Sequence, residues 1–211
     1  KGKRVLVTAG ATREALDPVR FMTNHSTGKM GYALAVAAAR RGAKVTLVTG
    51  KVNLPKPLFV TTVEVESAQE MFEAVTERSE EQDIIIKAAA VADYRPKTVA
   101  SEKMKKKEGE LVLELERTQD ILSWLGAHKK EGQFLCGFSM ETEHVIENST
   151  KKLDKKKADM IVANSLRQQG AGFGTDTNIV TLITKDMAQE LPMMSKEEVA
   201  HAVLDEILKR S

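Results

Sequence analysis

The chain has very little cysteine and no long apolar run, and both features narrow the kinds of protein it can be. Cys136 is the single cysteine, so no disulfide can form within the chain, and we expect a reducing compartment. No apolar stretch approaches the roughly 20 residues that a bilayer-spanning helix needs, and the first residues do not resemble a cleavable signal. We therefore expect a soluble cytoplasmic protein without a membrane partner.

The chain also lacks a strong excess of charge of one sign. Lysine and arginine number 32 against 30 acidic residues, a net charge of +2. This balance gives no overall field that would attract nucleic acid or an anionic membrane, so any affinity for anions must be local. The 211 residues suffice for one α/β domain with a sizeable core, and we predict a single domain over 1–211. Because the chain starts at Lys1 without a methionine, we expect either a piece of a longer polypeptide or a trimmed chain.

The hydrophobic pattern alternates between short β-branched runs and helical stretches. This alternation predicts an α/β fold with a Rossmann-like, doubly wound, mostly parallel sheet. We predict strands over 3–8, 44–49, 59–63, 83–87, 111–115, 133–138 and 158–163. Helices are predicted over 31–41, 68–78, 120–128 and 143–157, with loops over 9–27 and 88–107. An antiparallel hairpin over 178–184 and 190–193 extends the sheet, and Ser195 with Glu198 forms a capping box for a last helix.

The stretch MTNHSTGKMG, residues 22–31, precedes an alanine-rich helix. Its small residues allow free backbone N–H groups and the positive end of the helix dipole to face an anion. We predict Ser26 or Thr27 as the N-cap of this helix. Asn24 is not explained by an anion site, and an Asx turn or a capping role is one alternative for it.

Two common nucleotide-binding classes fit the sequence poorly. A dinucleotide fingerprint needs its glycines within about six residues, whereas Gly10 lies far from Gly28. Neither tyrosine is followed four residues later by a lysine, so the acid of a short-chain NADP-dependent reductase is missing. A P-loop needs a glycine and a hydroxyl residue at the positions that Thr23 and Met30 occupy. The reductase and a non-catalytic nucleotide-binding module nevertheless stay open as alternatives.

Several segments together resemble one family along almost the whole chain, in order. They are VTAGATREALDPVRFMTNHSTGKMG, AAAVADYRP, SEKMKKK, GFSMET before a lysine-rich helix, and ADMIVAN. This set is similar to the bacterial phosphopantothenate–cysteine ligases. The resemblance implies a domain that is often fused to a flavin-dependent decarboxylase, and a homodimer. The strand edge of the 178–193 hairpin also favours pairing of subunits.

The resemblance implies a reaction in two steps. The carboxylate of 4′-phosphopantothenate attacks the α-phosphorus of CTP, which releases pyrophosphate and leaves an acyl-cytidylate. The amine of L-cysteine then attacks the acyl group, giving an amide and CMP. Such chemistry needs in-line positioning and neutralised phosphate charge more than a protein nucleophile. A triphosphate substrate implies Mg²⁺, but the sequence indicates neither the metal ligands nor the choice between CTP and ATP.

The resemblance also assigns site residues. Asn24 and Lys103 are the implied catalytic residues, with Lys103 on a flap over 101–109 that we expect to be mobile without ligand. The implied nucleotide-binding residues are Gly10, Thr12, Ser26, Gly28, Lys87, Ala88, Ala89, Asp93, Lys103, Gln119, Asp120, Ile121, Leu122, Phe138, Lys152 and Lys156. The implied substrate-binding residues are Asn24, His25, Arg20 and Ala90.

Each assignment has a structural alternative. The lysines of SEKMKKK and of the 143–157 helix are ordinarily solvated surface residues. Gly10 and its neighbours can form a simple tight turn, and His25 can be a packing residue. Arg20 can pair with Asp17 to brace the loop. Cys136 is expected to be a small core residue inside a strand.

Overall fold

The structure is a computed structural model, and it describes residues 1–106, 108–141, 144–165 and 174–211. Lys107 of the predicted flap and Glu143 of the predicted fourth helix lie outside the described residues. Within the described ranges, no helix is long and apolar enough to cross a membrane.

The described chain contains five helices and a series of short strands. The helices are α1 (Lys29–Arg40), α2 (Ala68–Ser79), α3 (Ile121–His128), α4 (Val145–Lys156) and α5 (Lys196–Arg210). The strands are β1 (Arg4–Ala9), β2 (Glu14–Ala15), β3 (Phe21–Met22), β4 (Lys44–Thr49), β5 (Val60–Glu64), β6 (Ile84–Lys87), β7 (Tyr94–Pro96), β8 (Leu115–Arg117), β9 (Phe134–Glu141), β10 (Met160–Ser165), β11 (Thr177–Asn178), β12 (Val180–Ile183), β13 (Ala188–Glu190) and β14 (Met194–Ser195).

The main sheet confirms the predicted fold class. Its strand order is β13-β12-β10-β9-β6-β1-β4-β5. All pairs from β10 to β5 are parallel, and the β12–β13 hairpin is added antiparallel to β10. The chain reverses its direction of progress between β1 and β6, which is where doubly wound sheets bind ligands at the carboxyl ends of their strands.

Helices cover both faces of the sheet, and each face has its own core. Val7 of β1 packs with Leu34 of α1 and Val203 of α5. Leu6, the neighbour of Val7, points to the opposite face, where it packs with Met71 of α2. Gly31 lets α1 lie directly against β1, because an added Cβ would sit 2.5 Å from the Cβ of Ala9.

Two predicted strands are displaced in the structure. The strand predicted over 111–115 is instead β8, Leu115–Arg117, and its partner β7 lies in a segment predicted as loop. The second hairpin strand is β13, Ala188–Glu190, rather than 190–193. Leu191 donates one more backbone hydrogen bond, to Val180, and Pro192 then has no N–H to continue the ladder. The predicted loop over 9–27 also contains the short β2–β3 hairpin. The capping box of Ser195 and Glu198 is confirmed.

Candidate functional site at the carboxyl ends of the parallel strands

Two adjoining cavities lie where β1, β6 and β9 end. The α3 cavity, of about 440 Å³, is beside the start of α3 and is lined by Lys87, Val91, Ala92, Asp93, Tyr94, Arg117, Thr118, Gln119, Asp120, Ile121, Leu122, Phe138, Lys152 and Lys156. The α1 cavity, of about 300 Å³, is beside the start of α1 and is lined by Ser26, Thr27, Gly28, Lys29, Met30, Gly31, Lys87, Ala88, Ala89, Ala90, Val91, Asp93, Phe138, Ser139, Met140, Lys152, Asn164, Asn178 and Lys196. Since Lys87, Asp93, Phe138 and Lys152 line both cavities, the two form one continuous site.

The α3 cavity is rich in cations. Lys87, Lys152, Lys156 and Arg117 line it. Burial and the nearby charge of Lys152 lower the pKa of Lys87 to about 8. A bound anion would offset the repulsion between these lysines, so the cavity is suited to a negatively charged ligand.

Asp120 organises the entrance of α3. One of its carboxylate oxygens accepts a hydrogen bond of 2.8 Å from the backbone N–H of Ser123 and so caps the helix. The other carboxylate oxygen accepts from the ammonium group of Lys156, which also donates to the Ser123 hydroxyl. Burial raises the pKa of Asp120, but the bonds from Lys156 and Ser123 outweigh it and keep the pKa low. Lys156 is therefore held in place before any ligand binds.

The start of α1 differs from the prediction that Ser26 or Thr27 caps it. The N-cap is Gly28, whose left-handed backbone has φ of 79°, and no side chain caps the helix. A Cβ at this position would lie 3.0 Å from Val52 and 3.2 Å from the backbone of Gly10, so only glycine fits. The first N–H groups of α1 thus face the α1 cavity without a side-chain acceptor, which suits an anion.

Asn24 uses both ends of its amide in the structure. Its Nδ2 donates a hydrogen bond of 2.9 Å to the carbonyl of Ala90, and its Oδ1 accepts one of 3.0 Å from the backbone N–H of Ser26. The second bond is the Asx turn that was the structural alternative. Asn24 does not line either cavity, but its two partners line the α1 cavity. The catalytic role of Asn24 stays a prediction.

Gly10 and Thr12 support the cavity wall and do not line it. The carbonyl of Gly10 accepts a hydrogen bond from the N–H of Ala90 at 2.9 Å. The fully buried hydroxyl of Thr12 accepts one of 3.0 Å from the N–H of Ala92. These bonds fix the loop after β6 against the loop after β1, and the nucleotide contacts of Gly10 and Thr12 stay predictions.

Arg20 braces a loop, which is the structural alternative that was given to a substrate contact. Its guanidinium binds the carboxylate of Asp17 with nitrogen–oxygen distances of 2.5 and 2.9 Å. Both residues also hold the backbone of Met104, whose N–H donates to Asp17 at 3.0 Å and whose carbonyl accepts from Arg20 at 2.8 Å. The next residue back, Lys103, is exposed and lines neither cavity, and His25 is exposed as well. The structure therefore does not bring Lys103, His25 or Arg20 into the cavities.

Sequence reasoning missed several lining residues. Pairing of β7 and β8 beside the α3 cavity brings three residues to its wall, namely Tyr94, Arg117 and Thr118. They were not predicted because the strand was placed over 111–115 and its partner segment was predicted as loop. Asn164 and Asn178 line the α1 cavity. The signal for Asn164 was available: a polar residue follows the apolar run MIVA at the carboxyl end of a parallel strand.

Cys136 has the structural role that was predicted. It lies fully buried in β9 and belongs to the core between the sheet and α1. Burial raises the pKa of its thiol well above the ordinary range. The thiol is therefore neither a nucleophile nor a ligand in this site.

The fold and the cavities define a class: an α/β protein with a Rossmann-like sheet and a candidate anion-binding site at its carboxyl edge. Over residues 1–210 the chain matches the family described as the DNA/pantothenate metabolism flavoprotein C-terminal domain. The chain belongs to this family, and the resemblance seen in the sequence motifs is confirmed at this level.

Relatives and solved structures agree with this membership. The chain is 54% identical over 209 residues to the coenzyme A biosynthesis bifunctional protein CoaBC of Bacillus subtilis, covering 98% of the chain and 51% of the relative. It is 46% identical over 213 residues to the protein of that name from Escherichia coli strain K12, and this match covers 100% of the chain and 52% of the relative. The chain thus spans about half the length of these relatives.

A crystal structure of the C-terminal domain of a CoaBC protein is 52% identical to the chain. It superposes with a TM-score of 0.84, and the match covers 98% of this chain and 94% of that one. A Cab2 mutant in complex with phosphopantothenate-cysteine shares the fold at 16% identity, with a TM-score of 0.76 over 98% of this chain and 87% of that one.

Proposed function

We propose that the chain catalyses the CTP-dependent ligation of 4′-phosphopantothenate to L-cysteine, giving 4′-phosphopantothenoylcysteine, CMP and pyrophosphate. The observation that carries the proposal is the continuity of the two cavities through Lys87, Asp93, Phe138 and Lys152. A reaction between a nucleotide and an acid needs both substrates in adjoining parts of one site. Membership of a family whose relatives act in coenzyme A biosynthesis supports the choice of substrates.

The first step is the attack of the acid on the nucleotide. We place the nucleotide in the α3 cavity, where Phe138 can contact the base and the lysines can neutralise phosphate charge. The carboxylate oxygen of phosphopantothenate forms a bond to the α-phosphorus, and pyrophosphate leaves with the electron pair of the broken P–O bond. Positive charge at Lys87 and Lys152, together with Lys103 when its segment approaches, stabilises the negative charge that develops.

The second step is the transfer of the acyl group to the amine. The loops that carry Ala88–Ala90 and Ser26 hold the acyl part of the acyl-cytidylate in the α1 cavity, since their small side chains let it approach the backbone. Asn24 fixes the positions of Ala90 and Ser26. We infer that its uncharged amide keeps the acyl carbonyl oriented without adding charge beside the phosphate.

Mg²⁺ is the cofactor that a triphosphate substrate implies, and the residues present fit it. In the described ranges, no group of three or more His, Cys, Asp or Glu residues could hold a metal ion by itself. Mg²⁺ is commonly bound through one or two carboxylates together with substrate phosphates. Asp93 lines both cavities and would hold the ion beside the phosphates, where the ion neutralises their charge.

We also propose that the active form is a homodimer and that the chain is one part of a protein fused to a flavin-dependent decarboxylase. All three residues of the outer hairpin strand, β13, are exposed at the sheet edge. Exposed apolar residues at Leu111 and Val112, before β8, and at Leu115, its first residue, offer a second surface for pairing. Sedimentation at micromolar concentration should give a dimer, and a monomer alone would contradict this proposal.

A pyrophosphate-release assay with product analysis tests the proposed function. With CTP, phosphopantothenate and cysteine we expect pyrophosphate, CMP and the amide in equal amounts. ATP in place of CTP should give much less of each product. Nucleotide binding without any turnover would instead support a non-catalytic nucleotide-binding module.

A further inference from the structure

The α1 cavity contains two buried asparagines that the proposed chemistry has not used. Asn164 is the penultimate residue of β10 and is 7% exposed, and Asn178 ends β11 and is 3% exposed. Val162, two residues before Asn164, packs in the core beneath α1 and α5, so Asn164 continues that face beyond the core. The Nδ2 of Asn178 lies 3.9 Å from the sulfur of Met30 in α1. Both asparagines therefore face the side of the sheet that α1 covers.

The side-chain oxygens of these two residues have no hydrogen-bond partner within the part of the chain that the structure describes. A buried acceptor without a partner destabilises the folded state, so proteins keep few of them. Three such side-chain atoms occur among the described residues, and two of the three line this one cavity. Their placement indicates a ligand that brings hydrogen-bond donors.

Two lysines that line the same cavity indicate that the ligand also carries a negative charge. Lys29 and Lys196 line the α1 cavity together with the asparagines and do not line the α3 cavity. Lys29 is held by Asp176 at 2.7 Å, and Lys196 donates to the carbonyl of Thr175. Burial and the charge of Lys29 lower the pKa of Lys196, as expected where positive charge is concentrated. A ligand with both N–H donors and a carboxylate matches this wall.

We propose that Asn164 and Asn178 bind the α-amine of the acceptor amino acid, with its carboxylate toward Lys29 and Lys196. This inference rests on the proposed ligase function. Two amide oxygens accept N–H bonds from a neutral amine, whereas a carboxylate would hold it as an unreactive ammonium ion. The amine nitrogen then forms the C–N bond, the acyl C–O bond breaks, CMP leaves with the electron pair, and one amine proton passes to solvent.

The test uses Asn164→Leu and Asn178→Leu, which keep side-chain size and remove the acceptor. The loss of one hydrogen bond to the amine should raise the KM for cysteine by about tenfold. The KM values for CTP and phosphopantothenate should stay unchanged. One equivalent of pyrophosphate should still be released without cysteine, which shows that the variant is folded and competent for the first step. The melting temperature should be equal or higher, because an unpaired buried acceptor has been replaced by an apolar group.

Thr62→Val is the matched control, because the hydroxyl of Thr62 is the third buried oxygen without a partner in the described chain and lines neither cavity. It should leave every KM unchanged, and a raised KM for cysteine in this variant would overturn the assignment. If a leucine variant does not fold, the alanine variant of the same position, which also removes the acceptor, is judged by the KM values and the pyrophosphate release alone.

Two further outcomes would overturn the proposal. An unchanged KM for cysteine would remove the asparagines from amine binding. A raised KM for phosphopantothenate alone would assign them to the amide N–H of the acyl substrate instead. If the wild-type protein forms no amide at all, the proposed ligase function is wrong. That result is distinct from the two outcomes above, which contradict only the role of the asparagines.

Discussion

The side-chain amide of Asn24 donates a hydrogen bond to the backbone carbonyl of Ala90 at 2.9 Å. This bond joins the segment before α1 to the loop after β6, two segments that are 66 residues apart in sequence. Because Ala90 lines the α1 cavity, Asn24 acts on that wall while its own side chain stays behind it. We therefore expect Asn24 to act by positioning the cavity wall rather than by adding charge to the site.

Asn24→Asp should uncouple the two chemical steps. The variant would place a carboxylate oxygen against the Ala90 carbonyl, where the structure has a donor, and the wall should shift. We expect amide formation to fall by about 10²–10³, the usual cost of losing one positioned donor, while one equivalent of pyrophosphate is still released. Rapid-quench detection of the acyl-cytidylate measures the two steps separately. Asn53→Asp at an exposed loop position is the control, and a wild-type amide yield from Asn24→Asp would return Asn24 to a purely structural role.

Lys103→Gln should slow the first step instead. A lysine ammonium that faces the developing phosphate charge contributes mainly to formation of the acyl-cytidylate, so pyrophosphate release should fall by about 10²–10³. Lys105→Gln is the control on the same exposed segment and should stay near the wild-type rate. Equal rates for the two variants would show that Lys103 has no special place among these lysines.

The segment SEKMKKKEG should become protected from proteolysis when CTP binds. Lys103 is exposed and lines neither cavity, so the segment has to approach the nucleotide before the lysine can act. Digestion with and without CTP measures this approach. Cleavage that CTP does not change would contradict the proposed movement.

Asp17→Asn should flatten the dependence of stability on acid pH. The hydrogen bonds from Arg20 hold the pKa of Asp17 well below its ordinary value of 3.8. A depressed pKa in the folded state stabilises the protein above the ordinary value, and this contribution is lost as the pH falls toward the depressed pKa. The wild-type protein should therefore be more stable than the variant above about pH 5 and lose this advantage below about pH 4. Denaturant unfolding from pH 2.5 to pH 6 measures the free energy of unfolding of both proteins. A difference between them that does not change with pH would contradict this prediction.

Lys87 should make nucleotide binding weaken in alkaline solution. Its pKa of about 8 means that the ammonium loses its proton just above neutral pH, and only the charged form attracts phosphate. The Kd for CTP should rise as the pH increases above 8, by up to about tenfold per unit for a single coupled proton. In Lys87→Arg the charge persists at all these pH values, so the Kd should be flat. Equal pH profiles for the two proteins would rule out Lys87 as the titrating group.

The sequence predicted the sheet well because its strands are buried on both faces. Apolar runs such as IIIK and MIVA have few alternatives to a parallel strand. It predicted β8 and β13 poorly, because both strands are exposed and their positions depend on their pairing partners, which local sequence does not encode. Pro192 was a local signal against a strand over 190–193, and the prediction did not use it.

The candidate site was predicted unevenly for a similar reason. The family motifs gave the lysines and the small-residue loops, and the structure brings these together around two joined cavities. Asn178 was missed because it ends the short antiparallel strand β11, and only the fold places it in the same cavity as Asn164. Lys103 and His25 are exposed and line neither cavity, so their roles stay predictions.

Oxygen-18 transfer tests the central claim, ligation through an acyl-cytidylate, most directly. The reaction is run with phosphopantothenate labelled in both carboxylate oxygens, and the CMP is analysed by mass spectrometry. Attack of the carboxylate on the α-phosphorus followed by attack of the amine on the acyl carbon predicts one labelled oxygen in each CMP. Unlabelled CMP formed together with the amide would contradict the acyl-cytidylate route.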